Sequence, residues 1–332
     1  MNNRQIGSVL TTVVYQGWHL DRLREIFAPA TLIQVAPDDD EGIAKALQTV
    51  DVAVLKADLD PRFVRASNLK WIHCDHAGVN KSARPDVIAR KELIVTASAG
   101  RAAPALAQHT FFFALALTYD APALVHARER HEWRQIPGFS DRRGLYGKTL
   151  GIIGLGYTGK EVAALGKAMG MHVIGFGRGA EQAATPGLDR YIDSAAGGTI
   201  DSLLAASDFV VLCIRLTDQT YRMIGARELG QMKRTAYLIN MARGHVVDEA
   251  ALVAALHAGT IAGAGLDVFE EEPLPPDAPI WDAPNTIMTH HQTAEMPDLV
   301  ARSLDIIAEN VRRYRAGEHL LNRIKPDDVY TH

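Results

Sequence analysis

The stretch KTLGIIGLGYTGKEVAALGKAMGMHVIGFGRG, residues 148–179, joins an apolar run to a glycine-rich turn, an Ala-rich segment and a second apolar run. Leu150 to Ile153 reads as a buried strand, and Gly154-Leu155-Gly156-Tyr157-Thr158-Gly159 as the turn that opens a helix. In such a turn the first glycine permits the sharp reversal, the second lets backbone approach a pyrophosphate, and the third lets helix and strand pack closely. Backbone N–H groups at the helix start then face the phosphates. A bare GxGxxG also fits a close-packed turn with no ligand. Strand, loop, helix and second strand in this order favour a dinucleotide site. The second strand ends in Gly177-Arg178-Gly179, without the Asp or Glu that accepts hydrogen bonds from ribose hydroxyls in NAD sites. A missing carboxylate, and a guanidinium able to fork onto a 2′-phosphate, predict NADP(H) over NAD(H), with NAD(H) as the alternative. The competing reading of Arg178 is a solvated loop arginine.

Outward from this unit, apolar strands keep alternating with helical periodicity. Upstream lie VLTTVVY (9–15), DRLREIFA (21–28), TLIQVA (31–36), EGIAKALQTV (41–50), DVAVLK (51–56), LKWIHC (69–74) and LIVTA (93–97). Downstream lie FVVLCIRL (209–216), TAYLINMA (235–242), IAGAGLDVF (261–269) and NTIMTH (285–290), with helical DSLLAAS and DEAALVAALHAG between them. Both series predict open parallel α/β sheets. A long helix is expected from about Ala102, followed by a polar arm at 129–144 in which Trp133 and Arg134 are candidate interface anchors. Residues 296–318 carry Leu299, Leu304, Ile307 and Val311 at helical spacing; periodicity alone does not say which sheet that helix covers.

A chain of 332 residues is long enough for two ordinary domains. A formal charge of −4 and a pI near 6.4 give no reason to expect a nucleic-acid partner. Cys74 and Cys213 are the only cysteines and sit in apolar runs, which reads as reduced core thiols. Neither a signal peptide nor a run of the roughly 20 apolar residues that span a bilayer is recognisable, so a cytoplasmic protein without a membrane partner is expected.

The polar residues suited to chemistry fall just past strand ends, where open parallel sheets place ligands. Asn240 and Arg243 follow YLI, Asp267 follows GAGL, Glu270 to Glu272 precede Pro273, and His290 and His291 follow TIM. Reducing a carbonyl next to a carboxylate calls for an acid/base near neutrality and a cation. Imidazole suits the first and guanidinium the second. On an extended segment His290 and His291 would face opposite sides, so only one serves a site. Separate surface ion pairs, and a wet acidic turn, are the bland readings of the same residues. The histidines lack a ligand cluster at a recognisable metal spacing.

With GKTLGIIGLGYTG (147–159), LINMARGHVVDEAAL (238–252), GAGLDVFEEEPLPPDAPIW (263–281), NTIMTHH (285–291) and a weaker HAGVN (76–80), the chain resembles the D-isomer-specific 2-hydroxyacid dehydrogenases, among them the glyoxylate/hydroxypyruvate reductases. The resemblance implies two Rossmann-like domains. A flavodoxin-like substrate domain, discontinuous over 1–118 and 294–332, would carry an inserted dinucleotide-binding domain at 119–293. It implies catalytic roles for Arg243, Glu272 and His291, with His290 standing where the family commonly has proline. It also implies substrate binding by Ala77, Gly78, Val79 and Arg243, and places Asp267 near the nicotinamide. A small 2-oxoacid or 2-hydroxyacid substrate and a homodimer, with contacts around 120–145, are further implications. Departures occur at Gln108, where members often carry Glu, and at Arg215, where they often carry Pro; Lys56 is a further residue that borders the expected pocket. Two other readings stand beside this one: an NAD-dependent enzyme for D-lactate or a larger 2-hydroxyacid, and a dinucleotide-sensing protein resembling the corepressors built on this fold.

Overall fold

A computed structural model describes residues 4–133 and 144–332. The chain divides into two compact units, Met1–Arg101 with Met296–His332, and Ala102–Glu295.

In the first unit five short strands, β1 (Ser8–Thr11), β2 (Thr31–Gln34), β3 (Val52–Leu55), β4 (Trp71–Cys74) and β5 (Ile94–Ala97), form one sheet in the order β2-β1-β3-β4-β5. Every pairing is parallel. This is the flavodoxin-like doubly wound order. β3, β4 and β5 are buried along their whole length, which accounts for near-continuous apolar sequence instead of alternation. Helices α1 (Trp18–Phe27), α2 (Asp40–Ala46), α3 (Pro61–Arg65) and α4 (Pro85–Ala89) connect the strands. The C-terminal helix, α11 (Leu299–Ala316), packs along α1 on one face of the sheet. Its Leu304, Ile307, Val311 and Tyr314 share a buried cluster with Val9, Phe27 and Trp71. Each fully buried aliphatic or Phe side chain here contributes about 1.5–3 kcal/mol.

The second unit holds seven parallel strands: β6 (Thr149–Ile153), β7 (His172–Gly177), β8 (Arg190–Asp193), β9 (Phe209–Leu212), β10 (Tyr237–Asn240), β11 (Gly263–Leu266) and β12 (Thr286–Met288). Their order is β12-β11-β10-β9-β6-β7-β8. The switch point therefore lies between β6 and β9, beside the glycine turn, where such sheets bind dinucleotides. The strands are joined through α7 (Tyr157–Ala168), α8 (Asp201–Ala206), α9 (Ala226–Gln231) and α10 (Glu249–His257).

The boundary expected at 118/119 is displaced. Helix α5 (Ala103–Tyr119) belongs to the second unit, because Ala107, Phe111, Phe113 and Ala114 share a core with Leu150, Ile152, Val162 and Phe209. A Cβ on Gly265 of β11 would meet the Phe113 ring at 2.6 Å, so that ring lies against bare strand backbone. The long helix is also interrupted. Asp120 has φ 53°, and its carboxylate accepts the N–H of Ala123 to start α6 (Ala121–Glu129). Trp133 is fully exposed, while Arg134 and most of the arm lie outside the described residues.

Candidate functional site

The glycine turn has the geometry its sequence demands. Gly154 has φ +98°, and a Cβ there would come within 2.6 Å of the Cys213 carbonyl oxygen. At Gly159 a Cβ would collide with the Gly154 carbonyl, so the third glycine is what lets α7 close on the turn. Gly156 differs: among the described residues nothing lies within 4 Å of the position a Cβ would take. That open face sits at the start of α7, where among the described residues no side chain caps the helix. Unsatisfied N–H groups beside open space fit a pyrophosphate. Leu155 is buried in the core and offers only backbone, Thr158 is half-buried, and Tyr157 is half-exposed.

Arg178 is exposed at the end of β7 on a braced turn. The Gly179 N–H donates to Asp193 Oδ1 at 2.9 Å, Tyr191 donates to the Gly179 carbonyl at 2.8 Å, and Ser194 donates to the Gly177 carbonyl at 2.9 Å. The Glu181 carboxylate lies beside Gly179, 2.5 Å from where a Cβ would stand. The turn therefore presents an arginine with an acid three residues further along the chain, a feature that bears on phosphate binding.

The second cluster grows from the ends of β10, β11 and β12. Strand register aligns Asn240 with Leu266, and Leu266 with Met288, so the residues that follow emerge together. Asn240 shapes the first turn: its Oδ1 accepts the Ala242 N–H at 3.0 Å and its Nδ2 donates to the Arg243 carbonyl at 3.0 Å. Arg243 is half-buried. Gly244 follows because a Cβ there would overlap the backbone of Phe269 and Glu270.

That packing brings the acidic triplet alongside, and its three members separate by role. Glu270 pairs with Arg222 at 3.2 Å, and Glu271 is exposed. Glu272 accepts the Phe269 N–H through Oε1 at 2.9 Å and meets His291 Nδ1 through Oε2 at 2.7 Å. Partial burial alone would raise the Glu272 carboxyl, but hydrogen bonds from His291 and Phe269, with the charges of His291 and Arg243, hold it below its ordinary value. An ionised carboxylate only accepts hydrogen bonds, so the proton on this face of the imidazole sits on Nδ1. Nε2 is left for chemistry.

The backbone here departs from the extended form expected for Thr289-His290-His291. His291 has φ +51°, held by its N–H donating to the Asp267 carbonyl at 2.9 Å. Left-handed backbone at a non-glycine residue costs on the order of 1 kcal/mol or more and concentrates at functional sites. His290 is exposed.

Asp267 is buried, and its Oδ1 accepts the Thr289 hydroxyl at 2.5 Å. Thr289 has spent its one proton, so the 3.1 Å contact to His109 has His109 Nε2–H donating. Burial lowers the His109 pKa against the opposing pull of Asp267. His109 is not among the residues expected from the sequence; its neighbour Gln108, which is, stands exposed on the same helix. The available signal is a lone histidine inside a largely apolar helix.

Ala77, Gly78 and Val79 follow β4 in the first unit; Ala77 is exposed, Gly78 half-buried and Val79 buried. Lys56 is exposed at the end of β3, and Arg215 is exposed past β9.

The chain is similar to known proteins in sequence and in fold. Residues 111–293 match the family described as D-isomer specific 2-hydroxyacid dehydrogenase, NAD binding domain. A glyoxylate reductase of Korarchaeum cryptofilum is 37% identical over 232 residues, 68% of this chain and 68% of that protein. Among solved structures, a D-isomer specific 2-hydroxyacid dehydrogenase from Xanthobacter autotrophicus Py2, in complex with NADPH and MES, superposes with a TM-score of 0.79 at 29% identity, covering 97% of this chain and 99% of that one. An NADPH-dependent glyoxylate/hydroxypyruvate reductase from Sinorhizobium meliloti, in complex with NADP and sulfate, gives 0.78 at 25% identity, covering 96% and 98%. With more than half of its length matched to the family and its glycine turn, Arg243, Glu272 and His291 standing at strand ends, this chain belongs to the D-isomer specific 2-hydroxyacid dehydrogenases.

Proposed function

We propose that the protein is an NADP(H)-preferring reductase of small 2-oxoacids of the glyoxylate and hydroxypyruvate class, reversible to the D-2-hydroxyacid. The observation that carries this reading is the 2.7 Å His291–Glu272 pair, with Arg243 close enough to contribute to the Glu272 charge balance. When bound, the nicotinamide supplies the hydride that reaches the keto carbon. Arg243 forks onto the substrate carboxylate and sets its orientation. His291 gives the Nε2 proton to the carbonyl oxygen as that oxygen becomes an alkoxide, and Glu272 holds the ring through Nδ1. The products are the hydroxyacid and a neutral His291, which solvent reprotonates; oxidation runs the same transfers backwards. Substrate binding by Ala77, Gly78 and Val79, and a place for Asp267 beside the nicotinamide, rest on the family resemblance.

The NADP(H) preference rests on Arg178 and on the absence of an Asp or Glu in the strand-end sequence Gly175 to Gly179, with Glu181 beside Gly179 as the opposing charge. Two related structures hold NADPH or NADP, which supports the same choice. A homodimer is supported by Phe112, Leu115 and Tyr119, exposed at helical spacing on α5, and by exposed Leu124 and Val125 on α6. A cytoplasmic location belongs to the same reading.

Initial rates with NADPH and NADH against glyoxylate, hydroxypyruvate, pyruvate, phenylpyruvate and phosphohydroxypyruvate test it. The expected pattern is fastest turnover with NADPH and one of the first two acids. Preference for phenylpyruvate or for NADH would replace the substrate or cofactor assignment, and silence across the panel with cofactor binding intact would point to the sensing protein.

A further inference from the structure

β4 and β5 of the first unit carry a line of buried polar side chains that the reaction does not use. Trp71, His73, Thr96 and Ser98 have no exposed surface, and Asp75 is 9% exposed. Trp71 Nε1 donates to Thr96 Oγ1 at 2.9 Å; Thr96 Oγ1 lies 2.9 Å from His73 Nδ1; His73 Nε2 lies 2.9 Å from Ser98 Oγ; and Ser98 Oγ donates to Asp75 Oδ1 at 2.9 Å.

The directions of these bonds are fixed by proton inventory. Ser98 has given its single proton to Asp75, so it accepts from His73, and Nε2 carries the hydrogen. Burial pushes the His73 pKa down to about 4, more than the Asp75 charge restores, with Arg101 and His76 also lowering it. The ring is therefore neutral near pH 7, and Nδ1 accepts from Thr96, whose other contact, to the Ile72 carbonyl, is longer at 3.5 Å. Every bond then points the same way, from Trp71 to the Asp75 carboxylate.

Asp75 is the end point of two further donors. Tyr15 donates to Oδ2 at 3.1 Å, its hydroxyl kept protonated by burial and the Asp75 charge. Arg101 Nη1 reaches the Asp75 carbonyl at 2.6 Å and Oδ1 at 3.1 Å, and bonds Ser303 of α11 at 2.9 Å. The Ser98 N–H, for its part, bonds the Cys74 carbonyl at 3.2 Å and the His76 carbonyl at 3.1 Å. Arg101 and the Ser98 main chain, both joined to the relay at Asp75 and Ser98, thus hold the backbone on both sides of Asp75, immediately before Ala77-Gly78-Val79.

We propose that this one-way relay, with His73 as a neutral Nε2–H link and Asp75 as its hub, positions the Ala77–Val79 backbone; Asp75, Ser98 and His73 are positioning residues, and their effect on turnover rests on the substrate-loop role given above. A buried network in which each member is satisfied holds one arrangement, and losing one hydroxyl reorients the rest. Removing the Thr96 hydroxyl leaves Nδ1 without a donor. The Trp71 Nε1–H loses its acceptor as well, so the upstream half of the relay is gone and the ring is held only through Ser98.

Hydrogen–deuterium exchange on Thr96→Val, Thr96→Ser and Ser98→Ala tests the relay without depending on activity. Thr96→Val and Ser98→Ala are expected to speed exchange at residues 76–80 about tenfold while β1 and β3 keep wild-type protection, and Thr96→Ser, which keeps the hydroxyl, is expected to restore the wild-type pattern. Unchanged loop exchange, or equal acceleration throughout the unit, overturns the proposal, the latter by showing only a loosened core. Long-range proton–nitrogen spectra of His73 read the tautomer directly: a neutral ring protonated at Nε2 from pH 5 to 8 is expected, and protonation at Nδ1 overturns the bond directions. In the enzyme assay Ser98→Ala is expected to raise KM for the 2-oxoacid about tenfold with kcat within threefold. If the wild-type chain turns over no 2-oxoacid, the functional reading fails while exchange and tautomer still decide the relay; if it does and KM is unmoved, the relay's role fails alone.

Discussion

His291 Nδ1 stands 2.7 Å from Glu272 Oε2, and the other oxygen of the same carboxylate accepts the Phe269 N–H at 2.9 Å. One carboxylate thereby fixes both the tautomer and the plane of the imidazole. In Glu272→Gln the amide keeps the shape and loses the charge, and kcat for reduction is expected to fall on the order of 100-fold with a smaller change in cofactor KM. The pH profile carries a sign. A carboxyl held below its ordinary value in the fold stays ionised above that value, and the pair is lost only as pH falls through the depressed value. The acid limb attributable to Glu272 is thus expected below the ordinary carboxylate range, and a limb within or above that range in stopped-flow pH profiles contradicts the assignment.

Arg243 is expected to act through a two-pronged bond to carboxylate. Arg243→Lys keeps the charge and loses the fork, so KM for the 2-oxoacid should rise at least tenfold, about 1.4 kcal/mol or more. Gly244→Ala should mimic it without touching the arginine, because the added carbon collides with Phe269 backbone and displaces the turn. Steady-state kinetics of both variants, with circular dichroism to verify folding, check this; wild-type KM in either removes the carboxylate role of that turn.

Cofactor choice is expected to turn on two opposed charges. Arg178→Ala should raise KM for NADPH about tenfold and leave NADH nearly unchanged. Glu181, beside Gly179, sets a negative charge near the same turn, so Glu181→Gln should favour NADPH further. Titration of each variant with both cofactors measures the two ratios, and equal losses for NADPH and NADH with Arg178→Ala would assign the arginine to something other than the 2′-phosphate.

Legibility followed contiguity. The glycine turn lies in one short run whose residue order states a geometry, and the parallel sheets follow from unbroken apolar strands, whereas spacing alone left Arg243, Glu272 and His291 open against separate surface ion pairs and the family resemblance named them. Helix α5 was assigned to the wrong domain because it is apolar nearly all round, so no stripe names the sheet it covers. β8, with its charged ends, and the short helices α3 and α9 carry too few periods to register. The left-handed backbone of His291 and the bonds of His109 to Thr289 or His73 to Ser98 depend on tertiary packing, of helix α5 against the end of β12 in one case and of β4 beside β5 in the other, which residue order does not state.

His73 predicts a stability signature. Its folded pKa is depressed to about 4, so the unfolded chain takes up a proton that the folded chain refuses as pH falls below about 6.5. Stability is full above that pH and declines toward pH 4, by up to about 3 kcal/mol from this residue. Burial is the main cause of the shift; Arg101 and His76 add to it and Asp75 opposes it. Urea titrations from pH 4 to 7.5 should show that slope, and His73→Gln should flatten it; an equal slope in the variant would place its origin elsewhere.

The most direct measurement compares the two adjacent histidines: NADPH-dependent initial rates on glyoxylate and hydroxypyruvate for the wild-type chain, His291→Ala and His290→Ala. The account expects wild-type turnover, a loss of about 100-fold or more in kcat for His291→Ala, and near wild-type rates for His290→Ala. Retained turnover in His291→Ala, or its loss in His290→Ala alone, would contradict the assignment of the proton donor.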